Sequence, residues 1–160
     1  MAQVFSPRRA IFVPASSGEP GTHPKNTEYR VAWGFEQWEG STVGVTKVQM
    51  VYNGRVAGML SPSYPDNTLD EKAVTFALKL LKEGWGTATK KSKDVLVLRK
   101  IDSPEEIEKL EAEIEDEVHN MNLDIFTPSS GVSPVVRTEL KEKFLLEPSI
   151  YAFIFRVEIS

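Results

Sequence analysis

A hairpin signal in the middle of the chain constrains the fold more than any other feature of the sequence. Asn53-Gly54 separates a Val- and Thr-rich run at 42–52 from a third run at 55–60. Asn-Gly between apolar runs favours a two-residue type I′ turn, because both central residues of that turn have positive φ. The sequence therefore predicts two antiparallel strands that are neighbours in one sheet.

Alternating side chains predict further strands on both sides of this hairpin. Residues 28–35 place apolar side chains at every second position, which is typical of a strand with one buried face, and the alternation over 150–159 predicts a long C-terminal strand. Residues 94–101 have a continuously apolar centre, which is typical of a strand covered on both faces. We therefore expect the strand at 94–101 to lie centrally in the sheet.

Three segments have helical patterns. A helix over 68–83 begins at a Thr-x-x-Glu capping box and carries its apolar residues on one face. A very acidic helix with a narrow apolar stripe begins at Ser-Pro-Glu-Glu and extends over 103–121. A third helix is predicted over about 133–146, because it begins with Ser-Pro and ends before Pro148.

These elements predict an α+β fold of one domain. The expected architecture is a two-layer sandwich, with a mainly antiparallel sheet and two to three helices on one face. Residues 1–27 are interpreted as an N-terminal arm with a Pro/Gly-rich linker, and residues 28–160 as the α+β domain. Inside the arm, the apolar run at 10–13 has the composition of a short strand, so its place in the sheet stays open.

Composition excludes several classes of chemistry. The chain contains no cysteine, which excludes disulfides, thiolate metal sites and thiol nucleophiles. The net charge is -4, so nucleic acid is not expected as a partner. No apolar run has the length of a membrane-spanning helix, and the sequence favours a cytoplasmic protein without a membrane anchor.

Histidine chemistry has little support in the sequence. A Ser/His/Asp site needs a histidine base, and the chain offers His23 in the linker and His119 on the acidic helix, without a Gly-x-Ser-x-Gly motif. Glu115, Asp116 and His119 can share one helix face, but ligands from a single helix leave a metal site incomplete. We therefore expect no catalytic residue, no metal and no cofactor.

The loop after the first helix has a composition that can contact anions. It contains glycines, hydroxyl groups and the anion candidates Lys90, Lys91 and Lys93. A phosphate-binding loop places its glycines between a strand and the start of a helix, whereas these glycines follow a helix end. The lysines are therefore interpreted first as solubilising groups and only secondarily as phosphate contacts.

Aromatic and acidic residues provide the candidates for interaction. Trp38, Tyr64 and Trp85 fall in predicted loops, where aromatic side chains often anchor interfaces, although burial over the sheet is the alternative. Glu111 and Glu115 belong to the acidic face of the second helix, which is either solvated or a docking surface for a basic partner.

Two functions remain open from the sequence. The first is a non-catalytic protein-interaction module, such as a small subunit or regulator in an assembly, with a protein partner or self-association. The alternative is a small-molecule-binding domain or a small enzyme with a carboxylate-based site near the 61–71 loop. Its candidate residues are Asp66, Asp70, Glu71, Tyr64 and Arg55. A deep pocket with converging polar groups favours the alternative, and a flat sheet with an extended arm favours the interaction module.

Overall fold

The structure is a computed structural model that describes residues 4–87, 90–127 and 134–160. Two α-helices lie in these ranges, α1 at Asp70–Lys82 and α2 at Ile107–Phe126, the latter preceded by a short 3-10 turn. The strands are β1 Phe5–Pro14, β2 Thr27–Trp38, β3 Ser41–Tyr52, β4 Arg55–Ala57, β5 Ser92–Lys100, β6 Val136–Glu147 and β7 Ile150–Ile159.

The described strands form one sheet in the order β4-β3-β2-β1-β5-β7-β6. Every neighbouring pair is antiparallel except β1 and β5, which are parallel. The mainly antiparallel sheet in a mixed α+β fold is therefore confirmed. The predicted hairpin is also confirmed, since Asn53 and Gly54 have φ of 49° and 83° between β3 and β4.

The segment that was interpreted as an N-terminal arm contains a central strand. β1 pairs with β2 on one side and with β5 on the other. Ile11 and Val13 are buried at 0 % and 2 % exposure, respectively. The boundary at residue 27 is therefore corrected for residues 5–14, because their apolar side chains lie inside the sheet and not on an arm. The Pro/Gly-rich linker at 14–27 returns the chain from β1 to β2.

The predicted third helix is wrong over residues 136–146. This stretch is β6, which pairs with β7 along its whole length, and the predicted helix start at Ser133 lies outside the described residues. A register shift after Leu140 changes which side chains face inward, so that Phe144 contacts Phe76 of α1. Pairing with a long neighbouring strand overrides the helical spacing, because strand preference depends strongly on neighbours.

The two helices pack against opposite faces of the sheet. One core cluster joins the buried side of α1 to Leu96 and Leu98 of β5, and a second joins α2 to Val95 and Val97 of the same strand. Since successive residues of a strand point to opposite faces, the helices lie on different sides. The expectation that the helices share one face is therefore corrected.

The predicted burial is confirmed for α1 and β5, whereas the predicted helix caps are wrong. α1 begins after Leu69 and α2 after Glu106, and neither residue makes a side-chain capping hydrogen bond, nor does Ser103 before the 3-10 turn. α1 buries the predicted apolar face, and the centre of β5 is buried on both sides. In the ranges that the structure describes, neither helix is long and apolar enough to cross a membrane.

Candidate functional site

The two parallel strands at the centre of the sheet separate at their carboxyl ends. β1 and β5 pair at residues 11–12 and 94–95. Beyond these positions β1 follows β2 as far as Pro14, whereas β5 follows β7 as far as Lys100. A cleft of about 880 Å³ opens between them. Ligands of open sheets with parallel strands bind outside the carboxyl ends of those strands, which makes this cleft the candidate site.

Helices from both faces of the sheet close the sides of the cleft. The buried residues Val13 of β1, Leu96 of β5 and Val118 of α2 give it an apolar floor. Asp70 and Ala73 contribute the first turn of α1 to the opposite wall. Because α1 and α2 pack on different faces, the gap between the strands is bordered by one helix on each side.

Asp70 holds one rim of the cleft against the start of α1. Its side chain is buried at 4 % exposure, and both oxygens accept hydrogen bonds. Oδ1 accepts from the Ser16 hydroxyl at 2.6 Å, while Oδ2 accepts from the Ser16 backbone N–H at 3.0 Å and from the Tyr29 hydroxyl at 2.7 Å. A carboxylate in the first helical turn is favoured by the helix dipole. Asp70 therefore positions the chain around Ser16.

Tyr29 of β2 extends this hydrogen-bond network from Asp70 to the 61–71 loop. Burial raises the pKa of its phenol far above the ordinary value, and the hydrogen bond to Asp70 raises it further, so the hydroxyl stays protonated and donates. The same hydroxyl lies 2.8 Å from the carbonyl oxygen of Ser63, to which His23 Nε2 lies within 2.7 Å. Since a carbonyl oxygen only accepts, His23 carries its hydrogen on Nε2.

Ion pairs border the mouth of the cleft. Arg99 at the end of β5 contacts Glu117 of α2 at 2.5 Å, and both side chains are partly exposed. Asp124 accepts from Asn26 Nδ2 at 2.5 Å and lies 3.5 Å from the ammonium of Lys25. The Asn26 hydrogen bond and the Lys25 charge together lower the pKa of Asp124. These pairs connect α2 to β5 and to the linker before β2.

Only part of the predicted carboxylate site lies at the cleft. Asp70 lines it, whereas Asp66 and Glu71 are exposed outside its lining. Tyr64 packs against Tyr29 with ring centroids 5.2 Å apart, and Arg55 is exposed at the start of β4. Of the 61–71 segment, residues 67–70 line the cleft, at the point where the loop enters α1.

The other aromatic candidates lie in different surroundings. Trp38 is the last residue of β2, is 44 % exposed and donates from Nε1 to Glu36 at 2.7 Å. Trp85 is partly buried, with its ring 6.1 Å from that of Phe144. Trp38 thus has accessible surface, whereas Trp85 covers the α1 side of the core.

The charged candidates lie mostly on α2 and in the turn before β5. Glu111 pairs with Lys143 of β6 at 3.1 Å, and Glu115 is partly buried on the same helix. Lys90 and Lys91 are exposed just before β5, while the neighbouring Ala88 and Thr89 lie outside the described residues. None of these four charged side chains lines the cleft.

Lys93 does not lie in a solvated anion loop as predicted. It is a residue of β5 with 6 % exposure, and its ammonium lies 2.9 Å from Glu28 Oε1 and 2.8 Å from Asn122 Oδ1. Among the described residues, no hydrogen-bond donor has suitable geometry for Glu28 Oε2. This oxygen is nevertheless 2.8 Å from Lys93 Nζ and belongs to the ion pair. β5 begins at Ser92, before the strand that was predicted over 94–101. Lys93 is therefore a strand residue, and its side chain lies on the face of the sheet that α2 covers.

Metal binding finds no geometric support in the described ranges. Within them, no group of three His, Asp or Glu side chains comes close enough to hold an ion. His119, the ligand considered from the sequence, lies with Nδ1 3.1 Å from the Thr138 hydroxyl of β6.

Several residues at the cleft were not identified from the sequence. Ser16, Ser17 and Thr22 lie in the Pro/Gly-rich linker, which composition marked only as a connection. The sequence nevertheless contains a signal for these residues. A polar linker that directly follows an apolar strand places polar side chains at the end of that strand, where sites are often found.

Comparison with known proteins adds no assignment. No protein-family model matches the sequence, and neither the curated proteins nor the solved structures gave a match.

Proposed function

We propose that this protein binds a small organic molecule in the cleft between β1 and β5. The cleft itself carries the proposal. Its volume of about 880 Å³ lies within the range of roughly 300–1,000 Å³ that is typical of small-molecule sites. Small-molecule sites combine an apolar surface with polar groups that orient the ligand, and this cleft has an apolar floor below a lining in which 13 of 23 residues are polar or charged.

The charge of the lining favours a ligand with a cationic amine and an apolar body. Four carboxylates line the cleft against two cationic side chains, and the latter lie close to carboxylates of the same lining. An excess of one charge in a concave site attracts ligands of the opposite charge. The acidic residues are Glu19, Asp70, Glu117 and Asp124, and the basic ones are Lys25 and Arg99.

The buried carboxylate of Asp70 has a structural role at the cleft. Both oxygens of Asp70 already accept hydrogen bonds from Ser16 and Tyr29. These bonds fix the carboxylate between the linker, β2 and the start of α1. Asp70 therefore shapes the cleft and contributes negative charge to it.

The proposal is tested with two ligands that share a phenylethyl body. Phenethylamine and hydrocinnamate are titrated separately into the labelled protein, and amide chemical shifts are followed by NMR. We expect phenethylamine to shift the amides of 13–17, 67–73 and 117–124, and hydrocinnamate to shift them much less. Failure of both ligands to shift these amides at millimolar concentration contradicts the proposal.

Two tryptophan variants of α2 give a matched control. Asn120 is exposed and lines the cleft, so Asn120→Trp is expected to obstruct it and weaken the shifts strongly. Ala112 is exposed on the same helix away from the cleft, so Ala112→Trp is expected to preserve them. Equal binding by both variants places the ligand elsewhere and refutes the cleft as the site.

The interaction module predicted from the sequence remains the second candidate function. The observation that favours it is the outer side of β3 before residue 50, which pairs with no strand in the part of the chain that the structure describes. An unpaired strand edge is a template for pairing with another chain.

A further inference from the structure

Most of the outer edge of β3 has no neighbouring strand in the described structure. β3 pairs with β2 over its whole length, from Ser41 to Tyr52. On its other side β4 pairs with residues 50–52, and the chain then leaves the sheet at Gly58. The backbone groups of residues 41–49 that point outward are therefore without a strand partner in the ranges that the structure describes.

The opposite edge of the sheet is protected, whereas this one is not. β6 has two register shifts and six charged side chains, namely Arg137, Glu139, Lys141, Glu142, Lys143 and Glu147. Charges and bulges are the devices by which edge strands avoid pairing with other chains. Residues 41–49 have a single charge, at Lys47, no proline and an uninterrupted register with β2. This edge thus has the features of a pairing surface.

The sequence of the open edge is complementary to itself. Residues 42–46 are Thr-Val-Gly-Val-Thr, which reads the same in both directions around Gly44. We propose that two copies of this chain associate through antiparallel pairing of their β3 edges, with Gly44 of each copy opposite the other at a two-fold axis. Val43 of one copy then faces Val45 of the other, and Thr42 faces Thr46. β-Branched pairs and threonine pairs are favourable across antiparallel strands.

The surroundings of the edge fit this register. The Trp33 ring lies 3.7 Å from the position that a Cβ of Gly44 would take, so the aromatic ring covers the strand beside the proposed axis. Further along, residues 58–62 leave a notch next to Lys47, where Met59 is 98 % exposed and Leu60 is 54 % exposed. In the proposed register, the turn at 39–40 of the second copy lies beside this notch. Isologous pairing of identical surfaces gives a closed dimer.

The absence of cysteine allows a direct test of the register. In a Gly44→Cys variant, the two cysteines are directly opposite, where Cα atoms of antiparallel strands lie about 4.5–5.5 Å apart, within disulfide range. We expect near-complete cross-linked dimer after oxidation by air with copper-phenanthroline. In Thr46→Cys the two cysteines lie four residues apart along the strands, about 14 Å, and little cross-link is expected.

The outcomes separate the proposed pairing from chance collision. Strong cross-linking of Gly44→Cys with little of Thr46→Cys supports the register. Equal cross-linking of the two variants, or none in either, overturns it. The Cβ position at Gly44 meets only ordinary contacts and its φ is not positive, so the variant is compatible with the fold.

A charge variant tests the association without cross-linking. Light scattering of the unmodified protein is expected to show twice the chain mass of 17.9 kDa. Gly44→Lys puts two like charges opposite each other and is expected to reduce the mass to one chain, with an unchanged circular dichroism spectrum. Leu145→Lys, at an exposed position of β6, is the control and is expected to remain dimeric. An unmodified protein with the mass of one chain at all concentrations refutes the inference. The dimer does not depend on the cleft, so it is tested separately from ligand binding.

Discussion

Removal of the Lys93 ammonium is expected to destabilise the protein strongly. Lys93 connects β5 to Glu28 of β2 and to Asn122 of α2, and it lies 4.5 Å from the ring centroid of Phe12 on the intervening strand β1. Glu28 is fully buried. The substitution Lys93→Met keeps an unbranched side chain that is shorter by one atom and removes its charge. It therefore leaves the Glu28 carboxylate without its cation in the interior.

The magnitude follows from the burial of both partners. Breaking a buried ion pair by removing one charge costs about 3–5 kcal/mol, because the remaining charge is uncompensated. For a domain of this size, each kcal/mol lowers the melting temperature by roughly 2–4 °C, so a decrease of roughly 6–20 °C is expected. The double variant Glu28→Met with Lys93→Met is expected to recover most of this loss, since no charge then remains buried.

Equilibrium unfolding in urea measures the effect. The four proteins of the double-mutant cycle are the unmodified chain, the two single variants and the double variant. The control is Lys72→Met, because Lys72 pairs with Glu147 at 2.5 Å while both side chains are about 40 % exposed or more. This exposed pair is expected to contribute less than about 1 kcal/mol. A similar midpoint shift for Lys93→Met and Lys72→Met refutes the argument from burial.

Two further predictions concern the backbone of the sheet. Gly54→Val is expected to cost about 1 kcal/mol or more, because a β-branched residue must adopt φ of 83° and its Cβ meets Ile125 at 3.0 Å; an unchanged urea midpoint contradicts this. Deletion of residues 1–14 is expected to abolish folding, because β1 lies between β2 and β5, whereas an arm is removable without loss of the fold. A dispersed NMR spectrum from the shortened chain contradicts the central position of β1.

Elements whose signals are local were predicted from the sequence. The hairpin at Asn53-Gly54 depends on two residues that take positive φ, and α1 depends on the spacing of its own apolar side chains. The continuously apolar centre of β5 and the apolar alternation of β7 predicted both strands, and the centres of both are buried. Asp70 entered the set of candidate carboxylates because it stands at a loop-to-helix junction, and the structure places it at the cleft.

What only the tertiary structure decided depends on partners that are distant in sequence. β1 is central because β5, some eighty residues later, pairs beside it, and β6 is a strand because β7 is its neighbour. The cleft exists because these parallel strands follow different neighbours after residues 12 and 95. The separation of β1 from β5 cannot be predicted from a local sequence pattern. It depends on hydrogen bonds between strands that are distant in sequence and on the face of the sheet that each helix covers.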